Sequence, residues 1–385
     1  MRKIKILLLL ILLLGFTHYS FAQEPKAVSR GIWVTVFSTK KVLYSQESIV
    51  ELINSCKKSK INEIYLQLFQ SGKAFYRSSI CDHSKYDEML KSCGTDPIVF
   101  LIKKARENNI KVFAWVNLLS LGQNMQADII KKFGPDVLTR DQYLRPSGRK
   151  NPDESDKYYL REDQLFLEPG DPYVGRYLVN ITEEILDKYP SLDGIHLDYA
   201  RYPLTVPFSP GSKFGKFGLN YGFGKRSVER FKNFADFNPL SGFNSDEKSF
   251  KWDNWKREQV TLLVKRISKH VKEKSRDYRV SCAVLPYAER AYLCVSQDWP
   301  IWLEQGIVDY VVLMSYSKDN QLIKETVKAS LALKDKQKIF VGIGLFLLKD
   351  NPSSFKEQYK IIKGLNPDGI VFFSYDDISD ESLPE

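Results

Sequence analysis

Histidine is scarce in this chain. Of its 385 residues only His18, His83, His196 and His270 are histidines, and none stands at ligand spacing to another histidine or a cysteine. A zinc site is therefore not expected, and nothing in the pattern calls for another metal or a cofactor. Cysteine is also sparse: Cys56, Cys81, Cys93, Cys282 and Cys294 are an odd set with no CxxC pair, which excludes a disulfide framework. Cys81 and Cys93, twelve residues apart, are the one pairing to consider. The formal net charge is +10, yet no run of five or more like charges occurs, so nucleic-acid binding is unsupported while an anionic polymer remains open. Long apolar runs are missing beyond the first residues, which leaves no candidate integral membrane segment.

The one apolar run, Ile6–Phe16, follows Arg2, Lys3 and Lys5 and leads to Ser20-Phe21-Ala22, a small-x-small cleavage site. Residues 1–22 read as a secretory signal, too short in its apolar part to span a bilayer. Cleavage would leave residues 23–385 as one large domain with 54 basic against 47 acidic residues. The expected location is outside the cytoplasm, periplasmic or extracellular.

The rest of the chain repeats a β-rich run, a turn and an amphipathic helix. Strands are expected at Gly31–Phe37, Ile61–Phe69, Lys111–Asn117, Asp193–Tyr199, Arg279–Leu285, Asp309–Tyr316, Lys338–Ile343 and Gly369–Ser374. Between them lie helix signals such as Ile49, Leu52, Ile53 and Cys56 at i, i+3, i+4, i+7, and the cap-plus-proline starts Asp96-Pro97 and Asp171-Pro172. Eight such units imply an α/β fold, the (β/α)8 TIM barrel, with an open doubly wound sheet as runner-up. Long loop insertions follow strands three and four; the second, from Pro203 to about Phe250, carries nine Phe and six Gly and reads as a lid or binding rim. Asn62, Asp193, Asp309 and Asp368 each sit where a strand begins, and read as turn residues of the barrel floor.

The stretch Asp193-Gly194-Ile195-His196-Leu197-Asp198-Tyr199-Ala200-Arg201-Tyr202-Pro203 is unlike the other strands, because His196 and Asp198 alternate with apolar Ile195, Leu197 and Tyr199. In a parallel barrel the inward residues near a strand's C-terminal end open into the active-site mouth, and Asp198 is placed there. The same parity puts Tyr65, Gln67 and Phe69 on one face, Phe113, Trp115 and Asn117 on another, and Val312, Met314 and Tyr316 on a third. Gln67, Trp115, Asn117, His196, Asp198 and Tyr316 would then line one mouth, with Tyr199 and Arg201 beside it. Flat aromatic surfaces with amide donors and acceptors suit sugars, whose C–H faces stack while their hydroxyls hydrogen-bond.

Several blocks resemble one known family. They are Arg30-Gly31-Ile32-Trp33, Gln67 with Ser71-Gly72-Lys73-Ala74-Phe75-Tyr76, Asp96-Pro97 leading to Ala114-Trp115-Val116-Asn117, the Asp193–Pro203 block, Gln297-Asp298-Trp299 and Met314-Ser315-Tyr316. Together they resemble the glycosyl-hydrolase-like barrel family that includes the divisome-localised glycosyl hydrolase of bacteria. The resemblance implies a TIM barrel in the bacterial envelope that hydrolyses glycan strands, peptidoglycan in the studied branch. Phe69, Lys73, Phe113 and Leu313 depart from residues frequent in that family, and the expectation is that these positions lie at or near the mouth.

Glycoside hydrolysis uses two carboxyls, one to protonate the leaving oxygen and one to support the oxocarbenium-like transition state. Asp198 fits the second role, as nucleophile or charge stabiliser, and His196 fits a substrate hydroxyl or the orientation of Asp198. For the acid, Asp319 just beyond the sixth strand is placed slightly ahead of Glu289 just beyond the fifth. The expected partner is a polysaccharide or oligosaccharide. The alternative is a glycan-binding barrel without turnover, and metal-dependent deacetylation is disfavoured by the shortage of histidine.

Overall fold

The computed structural model describes residues 28–148, 162–204, 220–334, 336–378 and 383. The segment read as a secretory signal lies outside the described residues. So do residues 205–219 of the Phe- and Gly-rich insertion.

Eight parallel strands form a closed barrel: β1 Ser29–Val34, β2 Glu63–Gln70, β3 Lys111–Asn117, β4 Gly194–Asp198, β5 Arg279–Val284, β6 Tyr310–Met314, β7 Lys338–Gly344 and β8 Gly369–Phe373. Each pairs with its sequence neighbours, and β8 returns to β1. The helices are α1 Gln46–Lys58, α2 Ser84–Cys93, α3 Pro97–Glu107, α4 Asp128–Phe133, α5 Pro172–Lys188, α6 Lys225–Ala235, α7 Asp246–Lys274, α8 Ala288–Val295, α9 Trp299–Glu304, α10 Asn320–Ala332 and α11 Pro352–Gly364. This is the (β/α)8 TIM barrel expected from the alternation of periods, and the open sheet is excluded by the β1–β8 and β1–β2 pairings.

The helix signals act as their chemistry requires. Asp96 accepts from the N–H groups of Ile98 and Val99 at 2.9 and 3.1 Å, and Pro97 occupies the first helical turn of α3. Ile49, Leu52, Ile53 and Cys56 are the buried face of α1. The outward faces of the strands and the inner faces of the helices make one core, while Trp33, Tyr65, Phe113, Trp115, Ala283, Tyr310, Val312, Phe340 and Val371 fill the barrel itself. Its floor is plugged by Arg279, which pairs with Glu63 at 3.0 Å and lies 4.6 Å from the Phe113 ring centroid.

Three expectations change. The five cysteines are all buried and none is in a disulfide, so Cys81 and Cys93 are not joined. The described part of the Phe- and Gly-rich insertion is mostly not a lid. Phe223, Phe231, Trp252 and Trp255 pack α6 against the first half of α7 as a satellite core, so its aromatics stabilise a helix pair. Finally, the positions that depart from the family pattern do not line the mouth, although Lys73 lies near it as the ladder partner of Gln70. Phe69 packs outward against Tyr177 because the pairing with β3 shifts between Gln67 and Phe69. Phe113 stacks on Tyr65 inside the barrel, Leu313 is in the outer core, and Lys73 pairs with Asp82 at 3.3 Å.

Candidate active site

At the C-terminal ends of the strands a cavity of about 350 Å³ opens among Trp33, Thr35, Phe37, Gln67, Gln70, Trp115, Asn117, Asp198, Tyr199, Arg201, Ala283, Met314, Tyr316 and Phe373. Six of the expected mouth residues other than His196 are brought together here: Gln67, Trp115, Asn117, Tyr199, Arg201 and Tyr316, all around Asp198. An adjoining cavity of about 280 Å³ shares Met314 and Tyr316 with it, so the depression extends past β6.

Asp198 is the last residue of β4 and is 8% exposed. Its Oδ2 accepts from the Trp115 indole N–H at 3.1 Å, and its Oδ1 accepts from the backbone N–H of Tyr199 at 2.7 Å. Burial pushes its carboxyl above the ordinary value, against the pull of the Tyr199 N–H, the Arg201 charge and the Trp115 indole. Tyr199 has φ 51°, the left-handed region, which ends the strand and turns a side chain of outward parity into the cavity. The Arg201 guanidinium lies 5.0 Å from the Tyr199 ring centroid and is anchored by Glu162 at 2.8 Å. Gln67 donates to Asn117 Oδ1 at 3.3 Å, which orients the two amides against each other.

His196 lies below this layer and does not line the cavity. It is fully buried, accepts from the Trp33 indole N–H at its Nε2 (3.1 Å) and contacts Ser281 Oγ through Nδ1 at 2.8 Å. Acceptance at Nε2 leaves the proton on Nδ1, which donates to Ser281. Burial drives its pKa down to about 3, so the ring is a neutral spacer that fixes Trp33. Asp319 and Glu289 are not brought to the cavity either. Asp319 is exposed and caps α10, accepting from the N–H groups of Gln321 and Leu322 at 2.9 and 3.0 Å. Glu289 is exposed in the first turn of α8. Both carboxylates serve helix N-termini, where a negative charge is favoured.

Sequence reasoning passed over Trp33, Thr35, Phe37, Gln70 and Phe373. Period-two parity along the first strand would have found Trp33, Thr35 and Phe37, and the same rule on the last strand gives Phe373. Gln70 had no local signal, because it reaches the mouth through the irregularity at Gln67–Phe69.

The closed parallel barrel is also the fold of solved structures that the chain resembles in three dimensions. The catalytic domain of β-amylase from Paenibacillus polymyxa superposes with a TM-score of 0.55 at 12% identity, covering 91% of this chain and 93% of that one. A β-galactosidase from Bacillus circulans gives 0.57 at 13%, covering 91% and 50%. At such identities the likeness shows the fold. Residues 28–354 match the family described as glycosyl hydrolase-like 10, and the chain belongs to that family. Its relatives include glycosyl hydrolase YngK of Bacillus subtilis, 24% identical over 322 residues, and glycosyl hydrolase DigH of Escherichia coli K12, 21% identical over 379 residues. These alignments cover 77% and 89% of this chain; it spans 55% of YngK and 79% of DigH. Among the described residues no helix is long and apolar enough to cross a membrane, and no group of three or more His, Cys, Asp or Glu is placed to hold a metal.

Proposed function

We propose that this protein is an exported glycoside hydrolase that cleaves glycosidic bonds in a bacterial envelope polysaccharide, the glycan strands of peptidoglycan. The observation that carries this reading is Asp198, a buried carboxylate held by Trp115 and the Tyr199 N–H at the mouth of the barrel. Aromatic walls from Trp33, Trp115, Tyr316 and Phe373 suit the C–H faces of sugar rings, and Gln67 and Asn117 suit their hydroxyls. The depression running past Met314 and Tyr316 suits a polymer.

Asp198 supports the positive charge that develops at the anomeric carbon. Burial raises the cost of its negative charge, and an oxocarbenium-like transition state supplies a compensating cation where it is needed. The indole N–H of Trp115 and the backbone N–H of Tyr199 hold both carboxylate oxygens in place, so little reorganisation is required. The experiment is fragment release from purified glycan strands. Asp198→Asn keeps shape and removes charge, so release falls by about 10²-fold or more with little change in melting temperature. Asp319→Asn and Glu289→Gln leave the rate unchanged. Near-parental turnover by Asp198→Asn would overturn the assignment.

One observation favours a second reading, glycan binding without turnover: Asp198 is the only carboxylate among the described residues that line the cavity. Binding of strands with no fragment release by the parental protein would establish that reading in place of the first.

A further inference from the structure

A larger cavity, about 690 Å³, lies on the shoulder of the barrel and shares no residue with the mouth. Its size is within the roughly 300–1,000 Å³ range of small-molecule sites. One wall is a single face of α5, where Tyr173, Arg176, Tyr177 and Asn180 fall at i, i+3, i+4 and i+7. The other wall comes from α4, in the insertion after β3, through Lys132 and Phe133.

The two walls are joined by aromatic stacking. The Phe133 and Tyr173 rings lie 4.7 Å apart at 18°, with Lys132 5.4 Å from the first centroid and Arg176 5.4 Å from the second. Asp128 and Lys131 also line the cavity and pair with each other at 3.6 Å, and beside it Arg226 holds Asp171 at 2.6 Å. Among the described residues neither Lys132 nor Arg176 has a carboxylate at ion-pair distance. The cavity therefore presents two uncompensated cations on an ordered aromatic base. Tyr177 lines the cavity with its ring, while its hydroxyl is buried and meets no nitrogen or oxygen partner. Its polar neighbour is the Cys81 sulfur, a weak acceptor. Asn180 contributes an amide.

We propose that this shoulder cavity is a second carbohydrate site, selective for a sugar that carries a carboxylate. The cations take the carboxylate, and Asn180 meets a ring hydroxyl. The choice of a sugar over another anion rests on the glycan reading of the mouth; the charge selectivity does not. Lys132 and Arg176 are exposed, so charge reversal there leaves the fold intact.

The test is an NMR titration of the full mature chain carrying Asp198→Asn, so that turnover plays no part. D-glucuronate and D-glucose, which differ only in the carboxylate, are the probes, with inorganic phosphate as competitor. The expected result is saturable binding of glucuronate at resonances of α4 and α5 and none of glucose. Lys132→Glu and Arg176→Glu should each weaken binding by about tenfold or more, as loss of a charged hydrogen bond implies. Absence of glucuronate binding, or binding indifferent to both substitutions, overturns the proposal. Phosphate that displaces glucuronate at equal concentration overturns the assignment to a sugar. None of these outcomes touches the hydrolysis assay, so the two readings fail separately.

Discussion

Glu168 offers the sharpest test of how the mouth is framed. It is fully buried, and four donors converge on it: the Tyr202 hydroxyl and the Gly170 N–H (3.1 Å) on Oε1, the Thr139 hydroxyl (2.8 Å) and the Gly224 N–H (3.3 Å) on Oε2. One carboxyl thus ties the insertion after β3 to the tail of β4 and to the start of α6. Gly224 must be glycine, since a Cβ there would stand 2.5 Å from Glu168 Cγ. Despite the four donors, burial lifts the Glu168 pKa from 4.5 to about 7. The folded state therefore binds a proton that the unfolded state has released. Its stabilisation is complete below pH 4.5 and is lost as pH rises through about 7. The full loss is about 3 kcal/mol, of which about 2.5 kcal/mol falls between pH 5 and 8.

The parental protein alone would hide this. His196, neutral in the fold to about pH 3, has the opposite effect: the unfolded chain takes up its proton below 6.5, so stability rises with pH by about 2 kcal/mol over the same range. The two slopes nearly cancel, and a difference measurement is required. In Glu168→Gln the amide NH2 must face one of the two backbone N–H donors, at a cost of about 1–3 kcal/mol, whereas a neutral carboxylic acid still accepts there. Urea midpoints at pH 5 and 8, with unchanged m, should show the variant less stable than the parent at pH 5. The difference should shrink or reverse by about 2.5 kcal/mol at pH 8. Parallel curves across that range would refute the buried-proton argument.

Two further outcomes follow from positions already described. His196→Gln keeps an acceptor for Trp33, so it lowers stability without altering the shape of the pH–activity profile; a limb that moves with the substitution would show that His196 titrates at the mouth. Mass spectrometry of the exported protein should give an N-terminus at Gln23, and intact Met1 would remove the secretory reading of residues 1–22.

What could be read from the amino acids was whatever depends on local period. β3 was expected at Lys111–Asn117 and is found there, and Gln67, Trp115, Asn117 and Asp198 reach the mouth by alternation alone. What escaped depends on single backbone events or on competition for a side chain. The irregularity between Gln67 and Phe69 sends Phe69 outward and brings Gln70 in. Asp319 looked available to substrate, yet two N–H groups of α10 compete for it and win. That outcome was foreseeable from its place just before an amphipathic run, because an aspartate there caps far more readily than it reacts.

The opposite end of the barrel carries a regularity that separates stability from chemistry. Asn62, Asp193, Asp309 and Asp368, which precede β2, β4, β6 and β8, each accept from a backbone N–H of the strand before: Arg30 at 2.9, Val112 at 2.8, Val280 at 2.7 and Ile339 at 3.0 Å. Each also gives its own N–H to the carbonyl of that same residue, closing a two-bond clamp. The clamps fall on alternate strands, so the floor is fastened as four strand pairs. Asp193 is the cleanest to test, because Asp309 and Asp368 also hold Lys272 and Lys334. Asn62 performs the same task with a neutral amide oxygen, so Asp193→Asn should cost less than about 1 kcal/mol, the difference between a charge-assisted and a neutral bond. Asp193→Ala leaves the Val112 N–H without its acceptor and should cost about 1–3 kcal/mol. Neither change should alter fragment release once the protein is folded, since Asp193 and Asp198 lie at opposite ends of β4. Loss of release in Asp193→Ala at an unchanged melting temperature would mean that the floor and the mouth have been assigned the wrong way round.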